Sequence, residues 1–314
     1  MAVLLVTASY DYAGDYVADR LQSRRSRFFR LNTDQFPSQV RVTFDPVNGS
    51  VFDDGSTAMQ SDQVTSVWYR RHVVPDLPEP MDDGTSDFCI RECRSLLSGA
   101  LTALPTHRWL SRPGSIAAAE SKPYQLSVAA RLGFVLPPTL ISNDPASVRA
   151  FACQRKLVAK AVSSGYIASD EGVRAIFTSR VSNEDLADLA GLELAPVIFQ
   201  EWIDKASDIR VTVIAGKVFA AEILSQTHVD SRTDWRATND PSLHHERHQL
   251  PLQLEEMCVN LTTELGLEFG AIDLALTTDG QYIFFEINPN GEWVWIEDQL
   301  GYPIADSIAT WLAS

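Results

Sequence analysis

The stretch AIDLALTTDGQYIFFEIN, at residues 271–288, decides the fold that this sequence predicts. Residues 271–276 and 282–287 are rich in apolar side chains, as two neighbouring β-strands would be. The four residues between them, 277–280, are Thr-Thr-Asp-Gly, and an Asp-Gly pair favours a tight hairpin turn. The pattern therefore predicts a β-hairpin with a short connection.

Three polar side chains interrupt this apolar hairpin. Glu286 and Asn288 are two residues apart, so strand geometry puts them on one face, and Asp273 can lie across from them on the paired strand. Mg²⁺ takes oxygen ligands, keeps several waters and completes its shell with phosphate oxygens. The hairpin therefore predicts a site for two Mg²⁺ ions against a nucleoside triphosphate, in an enzyme that activates a carboxylate with ATP.

The composition is that of an ordinary globular protein, with 45% hydrophobic and 21% charged residues. A length of 314 residues allows two or three units, each with its own core. The formal net charge of −15 argues against a nucleic-acid binder, because contacts to phosphates need a basic surface.

The four cysteines are scattered and form no CxxC pair, which favours reduced thiols in the cytosol. The apolar run at the start is too short for a signal peptide, and no stretch approaches 18 apolar residues. We therefore expect a soluble, cytoplasmic protein.

Strand and helix patterns alternate along the chain, which predicts an α/β (α+β) protein in three segments, at residues 1–112, 113–199 and 200–314. In the first segment we expect strands at 2–7, 27–32 and 64–71, a hairpin over 41–54 around Asn48-Gly49, and helices at 13–23 and 85–104.

The second segment has clear helix signals. Ser121 and Pro123 start one helix and Gly133 stops it, and Asn143-Asp144-Pro145 starts another. We expect strands at 156–162 and 175–181 in this segment. For the third segment we expect three strand pairs and two helices, at 252–265 and 301–313.

Lys160 lies on an apolar strand between two alanines, just before the dipeptide Ser163-Ser164 and Gly165. A lysine in this setting can point into a cleft and meet a phosphate. It can equally be an edge-strand lysine that protects against aggregation, and on its own that second interpretation is favoured.

The run Gln200-Glu201-Trp202-Ile203 follows the apolar residues APVIF. Backbone groups at such a strand end can bind the edge of adenine, while Trp202 covers the ring and Asp208 accepts the ribose hydroxyls. The alternatives are an interfacial tryptophan at a strand end and a salt bridge between Asp208 and Arg210.

Arg236 lies in the loop TDWRATND, where its guanidinium could hold a carboxylate or an acyl-phosphate. A solvated loop arginine is about equally plausible. His244, His245 and His248 have no second cluster of Cys or His nearby, so a surface histidine cluster is favoured over a zinc site.

Taken in order, these residues resemble the ATP-grasp superfamily, and the resemblance covers nearly the whole chain. Five motifs look like those of the microviridin-type graspetide synthetases, which tie macrocycles in ribosomally made peptides. The motifs are WYRR (residues 68–71), SKPYQLSVAARLGFVLPPTLISNDP, FQEWIDKASDIRVTVIAGKVFAAEI, VDSRTDWRA and INPNGEWVWIE.

The resemblance implies an ATP-grasp fold with an N-terminal pre-ATP-grasp domain, a central lid subdomain and a C-terminal catalytic subdomain. It also implies roles for individual residues. Lys122 and Lys160 would hold ATP phosphates; Gln200, Glu201, Trp202 and Ile203 would lie at the adenine and Asp208 at the ribose; Asp273, Glu286 and Asn288 would ligate two Mg²⁺; Arg210 and Arg236 would steady the phosphates or the acyl-phosphate.

The activity implied is phosphorylation of an Asp or Glu side chain of a precursor peptide with leader and core, followed by ring closure through a Ser/Thr hydroxyl or a Lys amine. A homodimer is also implied. The loop at 163–172 departs from the family in having few glycines. Two alternatives stay open, a simpler carboxylate–amine ligase and a nucleotide-sensing module without catalysis, although the full set of metal ligands and lysines disfavours the second.

Overall fold

The computed structural model of the chain describes residues 2–73, 77, 80–163, 165–169, 172–229, 231–237 and 243–314. Strands and helices are mixed along these residues, as the sequence predicts. The strands are β1 (Ala2–Thr7), β2 (Arg27–Asn32), β3 (Arg41–Asp45), β4 (Gly49–Asp53), β5 (Ala58–Gln60), β6 (Val64–Tyr69), β7 (Trp109–Leu110), β8 (Thr139–Ser142), β9 (Leu157–Ala161), β10 (Tyr166–Ser169), β11 (Gly172–Ala175), β12 (Ser179–Arg180), β13 (Val197–Glu201), β14 (Lys205–Ile214), β15 (Lys217–Ile223), β16 (His245–His248), β17 (Phe269–Thr277) and β18 (Tyr282–Asn288). The helices are α1 (Tyr12–Ser23), α2 (Asp83–Thr102), α3 (Pro113–Ala119), α4 (Lys122–Arg131), α5 (Pro145–Ala152), α6 (Asn183–Ala187), α7 (Leu252–Glu264), α8 (Val294–Leu300) and α9 (Ile304–Ala313).

The chain divides into two compact units. The first comprises Met1–Ser115, Gly266–Phe269 and Asn290–Ser314, and the second comprises Ile116–Leu265 and Gly270–Pro289. The three-segment division at residues 112 and 199 stays a prediction.

The first unit is built on a four-stranded sheet in the order β2-β1-β6-β7, with all neighbours parallel. The central strand β1 is buried along its whole length, as its apolar sequence AVLLVT requires. Leu4, Val6, Phe29 and Leu31 belong to the core beside this sheet. A second, antiparallel sheet has the order β3-β4-β5, and its first turn contains Gly49 at φ +80°, the hairpin that Asn48-Gly49 predicts.

The second unit contains two larger sheets and a hairpin. One sheet is antiparallel with the order β12-β9-β13-β8, and the other has five strands in the order β16-β15-β14-β17-β18. Strands β10 and β11 pair with each other as the hairpin. The four-stranded sheet packs its apolar side chains with those of α5, so that Val148, Leu157, Leu192 and Phe199 form a small core.

The helix boundaries follow their sequence signals closely. Helix α4 begins after Ser121, and Gly133 follows its end at φ +87°. Helix α5 begins after Asp144, whose carboxylate accepts hydrogen bonds from the backbone N–H groups of Ala146 and Ser147. These predictions are confirmed.

Two sequence predictions about elements are wrong. The strand expected over 175–181 is split, because β11 ends at Ala175 and β12 contains only Ser179–Arg180. The C-terminal segment has a helix beyond the two predicted, since α8 precedes α9. In the part of the chain that the structure describes, no helix is both long enough and apolar enough to cross a membrane.

Candidate active site

The second unit holds a cavity of about 760 Å³. All the sequence-predicted site residues except Arg210 line it, although they come from different strands, helices and loops. These cavity-lining residues are Lys122, Lys160, Gln200, Glu201, Trp202, Ile203, Asp208, Arg236, Asp273, Glu286 and Asn288.

The hairpin β17–β18 brings the proposed metal ligands together. Antiparallel pairing sets Asp273 opposite Glu286, as predicted, with a register shift just after Asp273. The Nδ2 atom of Asn288 lies 3.3 Å from Oδ2 of Asp273. Two carboxylates and one amide oxygen are a hard-oxygen donor set, so these residues fit Mg²⁺. Among the described residues no group of three or more His, Cys, Asp and Glu could hold a metal ion, and the proposed site differs from such a group in having two carboxylates and an amide.

Glu286 is surrounded by cations. Its carboxylate lies 3.3 Å from Nζ of Lys122 and 3.1 Å from Nη1 of Arg236. Burial on its own would raise the pKa of Glu286, but the charges of Lys122, Arg236 and Lys160 outweigh burial and lower this pKa to about 2. The carboxylate is therefore ionised at any physiological pH.

Lys160 lies on β9, which runs between β12 and β13, so its interpretation as an edge-strand lysine is wrong. Its ammonium group is 4.8 Å from the ring centroid of Phe285. The pKa of Lys160 is lowered to about 8, chiefly by burial; the charge of Glu286 opposes this shift, and the charges of Lys122 and Arg236 add to it.

The side chain of Arg236 is exposed, as the alternative of a solvated arginine expects, but its guanidinium is also paired with two carboxylates. Its guanidinium donates from Nε to Oδ1 of Asp234 at 2.9 Å and from Nη2 to Oδ2 at 3.1 Å, a two-pronged pair, and from Nη1 to Glu286. Asp234 is buried, and the sequence analysis missed it although it stands two residues before Arg236. Burial tends to lower the pKa of Arg236, but the neighbouring carboxylates raise it, so the residue stays charged.

Asp208 and Arg210 each pair with another residue in the structure. Nζ of Lys205 lies 2.8 Å and 2.7 Å from the two carboxylate oxygens of Asp208, and both side chains are buried. Nη1 of Arg210 donates to both oxygens of Asp273 at 2.8 Å and 2.9 Å. Arg210 therefore holds a proposed metal ligand from behind and does not face the cavity. Lys205 lines the cavity and was missed, although it stands only three residues before Asp208.

The run at residues 200–203 lies at the end of β13. The N–H groups of Glu201 and Trp202 donate to the carbonyl oxygens of Pro138 and Lys156 at 2.9 Å and 2.7 Å. Because these two N–H groups already donate within the protein, an adenine bound here would form hydrogen bonds with other backbone groups of residues 200–203. The guanidinium carbon of Arg180 lies 3.6 Å from the centroid of the Trp202 ring.

The histidines and the 163–172 loop complete the predicted features. His248 is partly buried, with Nδ1 2.8 Å from Glu222 and Nε2 2.8 Å from the Tyr282 hydroxyl, so it is wrong to count it in an exposed cluster. In the loop, Ser164 and residues 170–171 lie outside the described residues. Gly165 has little space, because an added Cβ would lie 2.7 Å from the carbonyl oxygen of Ile176.

Two family models match the chain. Residues 2–117 match the MvdD pre-ATP grasp domain, and residues 119–312 match the RimK-like ATP-grasp domain. Among curated proteins, a β-citrylglutamate synthase B of Danio rerio is 25% identical over 272 residues, which are 83% of this chain and 62% of that protein. The human N-acetylaspartylglutamate synthase A is 25% identical over 66% of this chain and 52% of its own length. The chain thus spans less than two thirds of these relatives.

Solved structures resemble the chain over nearly its full length. The macrocyclase MdnC of Microcystis aeruginosa, solved with the precursor peptide MdnA, is 34% identical with a TM-score of 0.89 and 99% of each chain covered. An ATP-grasp ligase of Chryseobacterium gregarium, associated with ribosomal peptide maturation and solved with ADP and a leader and core peptide, is 28% identical. Its TM-score is 0.91, and the match covers 99% of this chain and 96% of that one.

Proposed function

The chain belongs to the RimK-like ATP-grasp family, and from that premise we propose that it is an ATP-dependent macrocyclase of a ribosomally synthesised precursor peptide. The observation that carries the proposal is the likeness to MdnC, which extends over 99% of both chains and includes the pre-ATP-grasp domain at residues 2–117. The cavity supports it with the charges that phosphoryl transfer to a carboxylate requires.

ATP is the first substrate in this proposal. Lys122 and Lys160 hold its phosphates, since both side chains line the same cavity. The adenine lies at Gln200, Glu201, Trp202 and Ile203, and the ribose hydroxyls bind to Asp208. Burial raises the pKa of the Asp208 carboxyl, and the ammonium of Lys205 opposes this rise.

Asp273, Glu286 and Asn288 are the residues that would hold two Mg²⁺ ions. When bound, these ions neutralise the charge that develops on the transferred phosphoryl group. Arg210 holds Asp273 in place through its guanidinium, and Asp234 orients the guanidinium of Arg236 toward Glu286.

The reaction has two steps. A side-chain carboxylate oxygen of Asp or Glu in the core peptide attacks the γ-phosphorus of ATP, the bond to the β-phosphate oxygen breaks, and ADP leaves. A Ser or Thr hydroxyl, or a Lys amine, of the same peptide then attacks the acyl carbon, loses its proton, and displaces phosphate. An ω-ester or ω-amide ring results. In our proposal Arg236 steadies the acyl-phosphate, and the enzyme acts as a homodimer.

A carboxylate–amine ligase that adds an amino acid to a small molecule or a protein is the second candidate. The names of the curated relatives favour it, because both are synthases of small glutamate conjugates. The two candidates differ in the acceptor. A macrocyclase joins two side chains of one peptide, whereas a conjugating ligase needs a separate amine.

The deciding experiment supplies the purified chain with ATP, Mg²⁺ and a precursor peptide from the neighbouring reading frame. We expect mass spectrometry to show the loss of one water per ring, with one ADP released for each. Formation of a glutamate conjugate, with an unchanged precursor, would instead establish the second candidate.

Glu286→Gln tests the metal site within this proposal. We expect it to abolish turnover while the chain stays folded, because two cations would then face each other with too few anionic ligands. Glu264→Gln is the matched control, since Glu264 makes only an exposed ion pair with Arg131. Cyclisation by Glu286→Gln at the wild-type rate would refute the two-metal assignment.

A further inference from the structure

The strand that carries Glu286 and Asn288 lies at an edge of its sheet. In the five-stranded sheet, β18 pairs with β17 on one side and ends the order on the other. Ile287, between the two proposed metal ligands, is 1% exposed. A buried backbone N–H or C=O without a partner is costly, so the outward-facing groups of Ile287 need partners from outside the sheet.

The side chain of Gln125 supplies both partners. Its Oε1 accepts a hydrogen bond from the N–H of Ile287 at 3.0 Å, and its Nε2 donates to the carbonyl oxygen of Ile287 at 3.1 Å. Nε2 also donates to the carbonyl oxygen of Ala119 at 2.7 Å. The carboxamide therefore stands where the peptide group of a further strand would pair, and it is buried at 2% exposure.

Helix α4 thereby reaches the hairpin through two side chains. Lys122, in its first turn, lies 3.3 Å from the Glu286 carboxylate, and Gln125 is fixed to the next residue of the strand. Rotation of the strand segment about its own axis would turn Glu286 and Asn288 away from Asp273. The two opposed hydrogen bonds of Gln125 to one residue resist this rotation, which a single bond would not do.

We propose that Gln125 is a positioning residue for the metal site, which sets the orientation of Glu286 and Asn288 by clamping the backbone of Ile287. The inference rests on the proposed function only in its assignment of these two residues as metal ligands. Groups that orient ligands from behind commonly change metal affinity by about 10- to 100-fold when they are removed. A Gln125 that merely stabilised the fold would leave this affinity unchanged.

The test measures metal binding directly and uses no peptide. Mn²⁺, an EPR-visible probe for Mg²⁺, is titrated into the full chain with saturating ADP. The main variant is Gln125→Met, which keeps the length of the side chain and removes the amide. Val128→Ala is the control, because Val128 is a buried residue of the same helix and its loss leaves the Gln125 amide in place.

We expect Gln125→Met to weaken Mn²⁺ binding by about tenfold or more, and Val128→Ala by less than about twofold, when both are compared at temperatures equally far below their Tm. If Gln125→Met does not fold, Gln125→Asn replaces it, since its amide is one methylene too short to bond both groups of Ile287.

Mn²⁺ binding by the Gln125 variant within twofold of wild type would overturn the inference, as would a wild-type chain that binds no Mn²⁺ with ADP. Failure of the wild type to cyclise any precursor, with the Mn²⁺ result as expected, would refute the macrocyclase proposal alone.

Discussion

At the scale of single residues, the cavity is organised by the balance between buried cations and carboxylates. The pKa of Lys160 is lowered to about 8, chiefly because its ammonium is buried, and the nearby Glu286 opposes this shift only in part. In the native chain, this lysine therefore loses its proton as pH rises through 8. In the unfolded chain it keeps the proton up to its ordinary pKa of 10.5.

This shift predicts a pH dependence of nucleotide binding. Phosphates bind the charged form of Lys160, so ADP affinity without metal should be constant near pH 7 and fall as pH rises through 8 toward 9.5. Calorimetric titrations across this range measure it. Lys160→Met should bind ADP more weakly and without this pH dependence; equal slopes for both proteins would contradict the prediction.

The lowered pKa of Lys160 also affects stability, and in the opposite direction: ADP affinity falls as pH rises, whereas the free energy of unfolding increases. Between pH 8 and 10.5 the unfolded chain binds a proton at Lys160 that the native chain does not, so this residue makes the free energy of unfolding rise with pH there. The lysine thus costs stability at neutral pH, which is a reason to expect a functional role for it.

Much of the site could be predicted at this scale, but not the partners of its residues. Chemistry and spacing identified Asp273, Glu286 and Asn288, because a hairpin has a local sequence signature. Lys205 and Asp234 were missed, since their ordinary sequence settings give no sign of burial. The contact of Arg210 with Asp273 joins residues 63 positions apart, which no local pattern encodes.

At the scale of elements, the sequence predicted the turns and helix starts that depend on local residues. It failed where apolar residues line the cavity and do not continue a strand. The hairpin β17–β18 and the start of α5 follow from turn and capping residues. The apolar run at 175–181 suggested one strand, but Ile176 and Phe177 are 46% and 44% exposed and line the cavity. The short α8 was missed because its 7 residues are too few to show a helical apolar pattern, and its N-cap is Trp293 and not Ser, Thr, Asp or Asn.

The two-residue strand β12 gives an element-scale prediction. It places Arg180 over the Trp202 ring, at the end of β13, and such a contact contributes about 0.5–1 kcal/mol at an exposed site. If Trp202 helps to hold adenine, Arg180→Ala should raise the Kd for ADP about two- to fivefold, and Arg180→Lys should have a smaller effect. The comparison is with Arg131→Ala, an exposed arginine paired to Glu264. A Kd for Arg180→Ala equal to that of the control would refute the role.

At the scale of the whole molecule, a chain with a net charge of −15 collects Lys122, Lys160 and Arg236 in one cavity. Their attraction for phosphate is local, since exposed charges separated by more than about 8 Å are largely screened at physiological salt. The cavity is also confined to one unit, because every residue that lines it belongs to Ile116–Leu265 or Gly270–Pro289. Each unit has its own buried core as well.

Hydrogen exchange should therefore respond to nucleotide in one unit and not in the other. A ligand at 100 times its Kd stabilises the state that binds it by about 2.7 kcal/mol, and only against openings that destroy the site. With ADP and Mg²⁺, we expect slower exchange in segments 157–161, 197–203 and 282–288, and unchanged exchange in strands 2–7 and 64–69. Mass spectrometry of peptic fragments measures both sets in one sample. Glu286→Gln should lose the part of the protection that depends on Mg²⁺. Equal protection in both units would mean that nucleotide stabilises the chain as one cooperative structure, and it would refute this prediction.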